Sequence, residues 1–134
     1  MPRVIHPPNW PRPQGYSNGM AARGEFLAVA GQVAWDQHKE IVSTQFTLQF
    51  RRALANVLAI VNAAGGEARH LISLTIYVTD KTEYENNLPA IGAAYRELMG
   101  KHFPAMALVE VAGLLEKGAK IEISALAVIE GADS

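Results

Sequence analysis

Apolar and polar positions along the chain follow two distinct periods. From Gln45 to Ala64 the apolar residues Phe46, Phe50, Ala53, Leu54, Val57, Leu58 and Val61 recur at spacings of three and four. That spacing predicts an amphipathic helix over 45–64, with Thr47, Arg51, Arg52 and Asn62 off the stripe. Gly65-Gly66 supplies the stop. Over Leu71–Thr79 the period becomes two: Leu74, Ile76 and Val78 face one way, and Ser73, Thr75, Tyr77 and Thr79 the other. This is the pattern of a strand with one buried face.

The remaining elements follow from shorter signals. Strands are predicted at Tyr16–Ala21 and Phe26–Val33, with Arg23-Gly24 as the turn between them, and Asp36–Glu40 reads as a polar loop. Asp80 with Glu83 resembles a capping box for a short helical turn. Pro89 suits a first turn, so a second helix is expected over Pro89–Met99, with Ile91, Tyr95 and Leu98 inward and Gly100 ending it. Two further strands, Ala105–Ala112 and Ala119–Ile129, close the chain. On the last, Ile121, Ile123, Ala125 and Ala127 share one face, and Lys120, Glu122, Ser124 and Leu126 the other.

The resulting order, β-β-α-β-α-β-β, predicts an α+β fold with helices on one face of the sheet. The other face, carrying Ser, Thr, Tyr and small residues, needs cover, and self-association would provide it. Four prolines within 6–15 make residues 1–14 an extended arm, with Trp10 as its expected anchor, and 130–134 read as a frayed tail.

Composition narrows the function. The chain has 134 residues, 49% of them apolar, which suits one domain with one core rather than disorder. A net charge of −1 with interspersed signs argues against a nucleic-acid partner. The absence of cysteine removes disulfides and thiolate chemistry, compatible with a cytoplasmic setting. No signal peptide or membrane span is expected. His6, His38, His70 and His102 form no metal-binding spacing, so no metal is expected. No phosphate-cradling or nucleophile-elbow motif occurs.

Three groups stay open between structure and chemistry. Tyr16 is either a packing tyrosine or a phenol at a pocket mouth. Glu122 is either a solvated charge paired with Lys120, worth about 0–1 kcal/mol, or a general acid/base at a subunit boundary. Glu110 shares this ambiguity and lies on the face of Met106.

Six segments, "GYSNGM", "FLAVAGQVAWD", "QFRRALANVLAIVNAAGG", "LISLTIYVTD", "FPAMALVEVAGL" and "KIEISALAV", together resemble the RidA/YjgF/UK114 family of enamine and imine deaminases, over about Gly15–Val128. The resemblance implies a chorismate-mutase-like fold: a mixed sheet of about six strands backed by two helices. It also implies a homotrimer with a central barrel and intersubunit clefts that take a small-molecule metabolite, without cofactor or metal. By the same resemblance Glu122 positions or activates water and Tyr16 holds a polar substrate group. Ser17, Gly31, Trp35, Tyr95, Ala105, Met106 and Ala107 would line the cleft, with backbone near Gly31 and Ala105 stabilising developing charge.

Two departures bear on the ligand. Deaminating members carry an arginine where this chain has Met106, and an asparagine where it has Gly92. Losing a charge-assisted contact to a carboxylate removes roughly 1.5–3 kcal/mol. Methionine suits an apolar or aromatic group instead, and Arg12 or Arg23 would be the replacement cations. The expected activity is therefore hydrolytic deamination of an altered imine, enamine or related metabolite. The rival is a non-catalytic metabolite binder or regulator using the same cleft; endoribonuclease activity is the weakest alternative.

Overall fold

A computed structural model describes residues 2–131. Its centre is a four-stranded sheet in the order β3-β6-β4-β5, built from β3 (Glu25–Gln32), β4 (Leu71–Val78), β5 (Ala105–Glu110) and β6 (Ile121–Ile129). β6 runs antiparallel to both β3 and β4, while β5 runs parallel to β4. A parallel pair needs a long crossover. Here it carries α2 (Lys81–Glu85) and α3 (Leu88–Met99). The long helix α1 (Phe46–Ala63) lies beside α3 on the same face.

The period-two strand and the period-three-and-four helix meet as their patterns require. Leu74, Ile76, Val78, Ile121 and Ile123 are buried beneath Phe50, Ala53, Leu54, Val57 and Val61 of α1. Fully burying such a side chain stabilises by about 1.5–3 kcal/mol. Gly65, at φ +89, ends α1. Gly65 N–H donates to Asn62 and Gly66 N–H to Val61, which satisfies carbonyls that the helix leaves open. Gln49, which the apolar stripe does not announce, is fully buried. Its amide donates to the carbonyls of Ser43 and Gly118 and accepts from Lys120 N–H, so α1 holds the loop that feeds β6.

The N-terminal region differs from the expected hairpin. The strand expected over Tyr16–Ala21 shortens to β2 (Gly19–Ala21), and its partner is β1 (Arg3–Ile5), not β3. The outer edge of β3 stays without a strand partner among the described residues. The arm doubles back instead of running extended throughout. Trp10 does not anchor it: the ring is 58% exposed, and only its backbone is engaged, with Pro7 and the His6 ring. Of the residues expected inward on α3, Ile91 and Tyr95 are buried, whereas Ala94 and Met99 take the depth expected of Leu98. The capping box at Asp80 is half formed. Asp80 accepts from Thr82 and Glu83 N–H, but the Glu83 carboxylate turns to Lys120 at 3.0 Å. At the other end, Glu130 is engaged by Arg69 and His70; residues 132–134 lie outside the described residues.

Candidate functional site

Strand alternation sorts the expected site residues onto two faces of the sheet. Met106 pairs with Leu74, which pairs with Ala125, so Met106 lies on the helix side. Ala107 is level with Thr75 and Ser124, Ala105 is level with Ser73, and Glu122 is level with Tyr77, all on the open side. Within one chain, Glu122 and Met106 therefore do not face each other.

On the open side, Glu122 sits over Gly31. The register of β3 against β6 shifts between Val29 and Gln32, a bulge that brings the Gly31 backbone up to the Glu122 carboxylate. A Cβ at position 31 would fall within that carboxylate, so only glycine permits the contact. Lys120, the alternative partner of Glu122, is taken by Glu83. Among the described residues, Glu122 makes no ion pair or side-chain hydrogen bond. The surrounding face is partly apolar: Phe26 is 63% exposed and Val109 42%.

On the helix side, a cavity of about 330 Å³ opens between α3 and β5. Its walls include Tyr84, Leu88, Ile91, Tyr95, Phe103 and Met106. Tyr95 and Phe103 stack in parallel, with ring centroids 5.4 Å apart and planes 8° from parallel. The Tyr95 hydroxyl donates to the His102 carbonyl at 2.6 Å, and burial pushes its pKa well above the usual phenol range. Tyr95 is thus a ring wall, with its polar end already engaged. An adjoining hollow of about 450 Å³ shares Tyr84, Leu88 and Met106 and adds Tyr16 and Leu108. Tyr16 reaches it because Ser17 is stitched onto β5: Ser17 N–H donates to the Pro104 carbonyl at 3.1 Å, its hydroxyl to the Phe103 carbonyl, and Ser17 bridges Ala105. Ser17 is a buried positioning residue, while Tyr16 remains 42% exposed.

The cation expected from Arg12 or Arg23 is at neither place. Both are exposed, and neither lines a cavity described above. Arg96 of α3 lines the 330 Å³ cavity instead. Its guanidinium stands 3.3 Å from where a Cβ of Gly92 would be. Sequence reasoning missed it because position 96 is off the apolar stripe; the one signal was a glycine inside a helix, four residues earlier. Trp35 lies elsewhere in the chain. Its indole N–H donates to Gln32, its ring lies under Lys39, and it lines a shallow depression beside α1 with Arg52 and Asn56. Asp36 is occupied by the N–H groups of Glu40 and His38, which lower its pKa. Among the described residues, no group of three His, Cys, Asp or Glu side chains is placed to hold a metal, and no helix is long and apolar enough to cross a membrane.

Comparison with known proteins places this architecture. The family model described as endoribonuclease L-PSP matches residues 10–129. A RutC family protein of Pyrococcus horikoshii is 38% identical, over 97% of this chain and 100% of its own. A 2-iminobutanoate/2-iminopropanoate deaminase of Salmonella typhimurium is 36% identical, over 78% of this chain and 80% of its own. Among solved structures, a Rid-family protein of unknown function from Yersinia pestis superposes with a TM-score of 0.84 at 30% identity, covering 96% of this chain and 98% of its own. With the fold, the matched length and these relatives in agreement, the chain belongs to the RidA/YjgF/UK114 family, the family of the endoribonuclease L-PSP model.

Proposed function

We propose that this protein hydrolyses a small imine or enamine in a cleft completed by a second copy of the chain. The observation that carries this reading is the Glu122 carboxylate, free of a cation partner, resting on the Gly31 backbone at the β3 bulge. A carboxylate left in this state is available as a base. It would take a proton from water as the oxygen adds to the C=N carbon. Proton return to nitrogen then lets the C–N bond break, releasing ammonia and leaving a carbonyl compound. The deaminase relatives, named for 2-imino acids, support the same chemistry.

The two-faced distribution of the site supports such an assembly. Tyr16 and Met106 border hollows on the helix side, whereas Glu122, Gly31, Ala105 and Ala107 lie with the open face. A homotrimer that packs open faces inward would cover Phe26 and Val109 and bring the Glu122 end of one copy toward the Met106 end of the next. Sedimentation of the full chain should give three times the monomer mass.

Imines generated in situ by an amino-acid oxidase, with semicarbazide trapping what remains, provide the test. Wild type should clear at least one imine faster than buffer, and Glu122→Gln should lose at least about a hundredfold of that rate. A Glu122→Gln protein as active as wild type would remove the assignment. The non-catalytic reading keeps one observation in its favour, the apolar Met106 wall. It predicts thermal stabilisation by ligand with no turnover of any imine.

A further inference from the structure

We propose that Arg96 is the carboxylate anchor of this site, and that the ligand is a monocarboxylate whose other end is a flat, aromatic group. This rests on the reading of the α3–β5 cavity as part of the working site and extends it to the class of ligand.

Three observations converge on it. Arg96 is the helix-borne arginine that has no counter-ion or side-chain acceptor among the described residues. Arg51 is paired with both Glu97 oxygens at 2.6 Å, Arg52 bonds Asn56, and Arg69 pairs with Glu67 and Glu130. Pairing Glu97 with Arg51 also removes the carboxylate next to Arg96 in sequence. Second, Gly92 leaves room beside the guanidinium. The guanidinium lies along the helix surface at residue 92, where a side chain would crowd it. A glycine inside a helix costs stability relative to alanine. Third, the rest of the cavity is apolar and ring-lined, with Tyr84, the stacked Tyr95–Phe103 pair and the Met106 thioether. Such walls favour an aromatic body, and about 330 Å³ is at the small end of metabolite sites. A guanidinium at one side of an apolar chamber recognises a planar anion attached to a hydrophobic group. An uncharged ligand would leave the cation unused, and a polymer would not fit.

Isothermal titration of the assembled full-length protein tests this with three probes: phenylpyruvate; phenylacetone, in which a methyl group replaces the carboxylate; and pyruvate, which lacks the ring. Wild type should bind phenylpyruvate at least about tenfold tighter than either of the others. Arg96→Gln should weaken phenylpyruvate about ten- to a hundredfold while leaving phenylacetone unchanged, and Arg96→Lys should restore part of the loss. Arg96 is exposed and unpartnered, so these variants should fold, as circular dichroism would verify. Equal affinity of wild type and Arg96→Gln for phenylpyruvate, or no binding of phenylpyruvate to wild type, overturns the proposal. Clearance of the phenylalanine-derived imine separates the two levels. Arg96-dependent binding without turnover sinks hydrolysis and keeps the anchor. Turnover with Arg96-independent binding does the reverse.

Discussion

Helices α1 and α3 lie side by side on one sheet face and differ in one respect, the arginine that α3 leaves without a partner among the described residues. On α1, Gln49 bonds three backbone groups, Asn56 bonds the carbonyls of Val33 and Trp35 at 3.0 Å each, and Arg51 holds Glu97 through both oxygens. On α3, Glu97 is held by Arg51 and the Tyr95 hydroxyl by the His102 carbonyl, but Arg96 has no partner among the described residues, and beside the core that Ile91, Ala94, Tyr95 and Met99 fill the helix also borders a cavity. Both helices are amphipathic, so apolar pattern does not distinguish them. What distinguishes them is Arg96, a cation beside a cavity that no group of the described chain satisfies.

The contrast is most severely tested by Gln49→Leu. It leaves the Ser43 and Gly118 carbonyls and the Lys120 N–H without their partner, and should cost about 3 kcal/mol or more in urea unfolding. A loss under about 1 kcal/mol would mean that water replaces the amide and that α1 is less committed to structure than its bonds suggest. Phe103→Ala touches both roles. It removes the stack on Tyr95 and one cavity wall, so it should cost about 2 kcal/mol and weaken aromatic ligands. Unchanged ligand affinity would place the aromatic group elsewhere. Gly92→Ala should raise stability by about 0.5–1 kcal/mol yet lower phenylpyruvate affinity a few fold, because the new methyl meets the guanidinium at 3.3 Å. Stability and affinity rising together would show that Arg96 sits there by chance.

The smallest effect concerns the loop beside α1. Glu40 and His38 N–H groups donate to the Asp36 carboxylate and lower its pKa below the ordinary 3.8. A depressed folded-state pKa stabilises at pH above the unfolded value and loses that contribution as pH falls through the folded value. The difference in melting temperature between wild type and Asp36→Ala should therefore hold near neutrality and shrink below about pH 3.8. A difference that does not vary with pH would show that Asp36 acts by packing rather than charge.

Much of the fold was legible because it is written in periodicity. The stripe from Phe46 to Val61 and the alternation of Leu71–Val78 locate α1 and β4 nearly to the residue. Strand partnership was not legible. Nothing local tells Gly19–Ala21 to pair with Arg3–Ile5 in preference to the outer edge of β3, which has no strand partner among the described residues. The site was legible in halves. Glu122 and Gly31 are far apart in sequence and meet only through the bulge; the strand pattern left Glu122 open as an acid/base, and resemblance alone nominated Gly31. Arg96 was passed over because a search for a replacement cation looked to the arm and the turn, where arginines are exposed. A guanidinium four residues after a helical glycine draws notice only once the helix has a cavity beside it.

The strand order has a consequence for how this protein must be made. β6 is the last sheet strand to be synthesised, yet it occupies the middle, between β3 and β4. Until the ribosome has delivered it, β3 has no partner in the main sheet and one edge of β4 stands open, both with apolar faces awaiting cover. Such unpaired edges are templates for association between chains. A stalled or truncated nascent chain ending in the loop after β5 would thus be sticky in proportion to how much of the sheet it already carries. Chains cut off before residue 121 should therefore associate more readily than the full chain, which expression of a fragment ending in the loop after β5 would check.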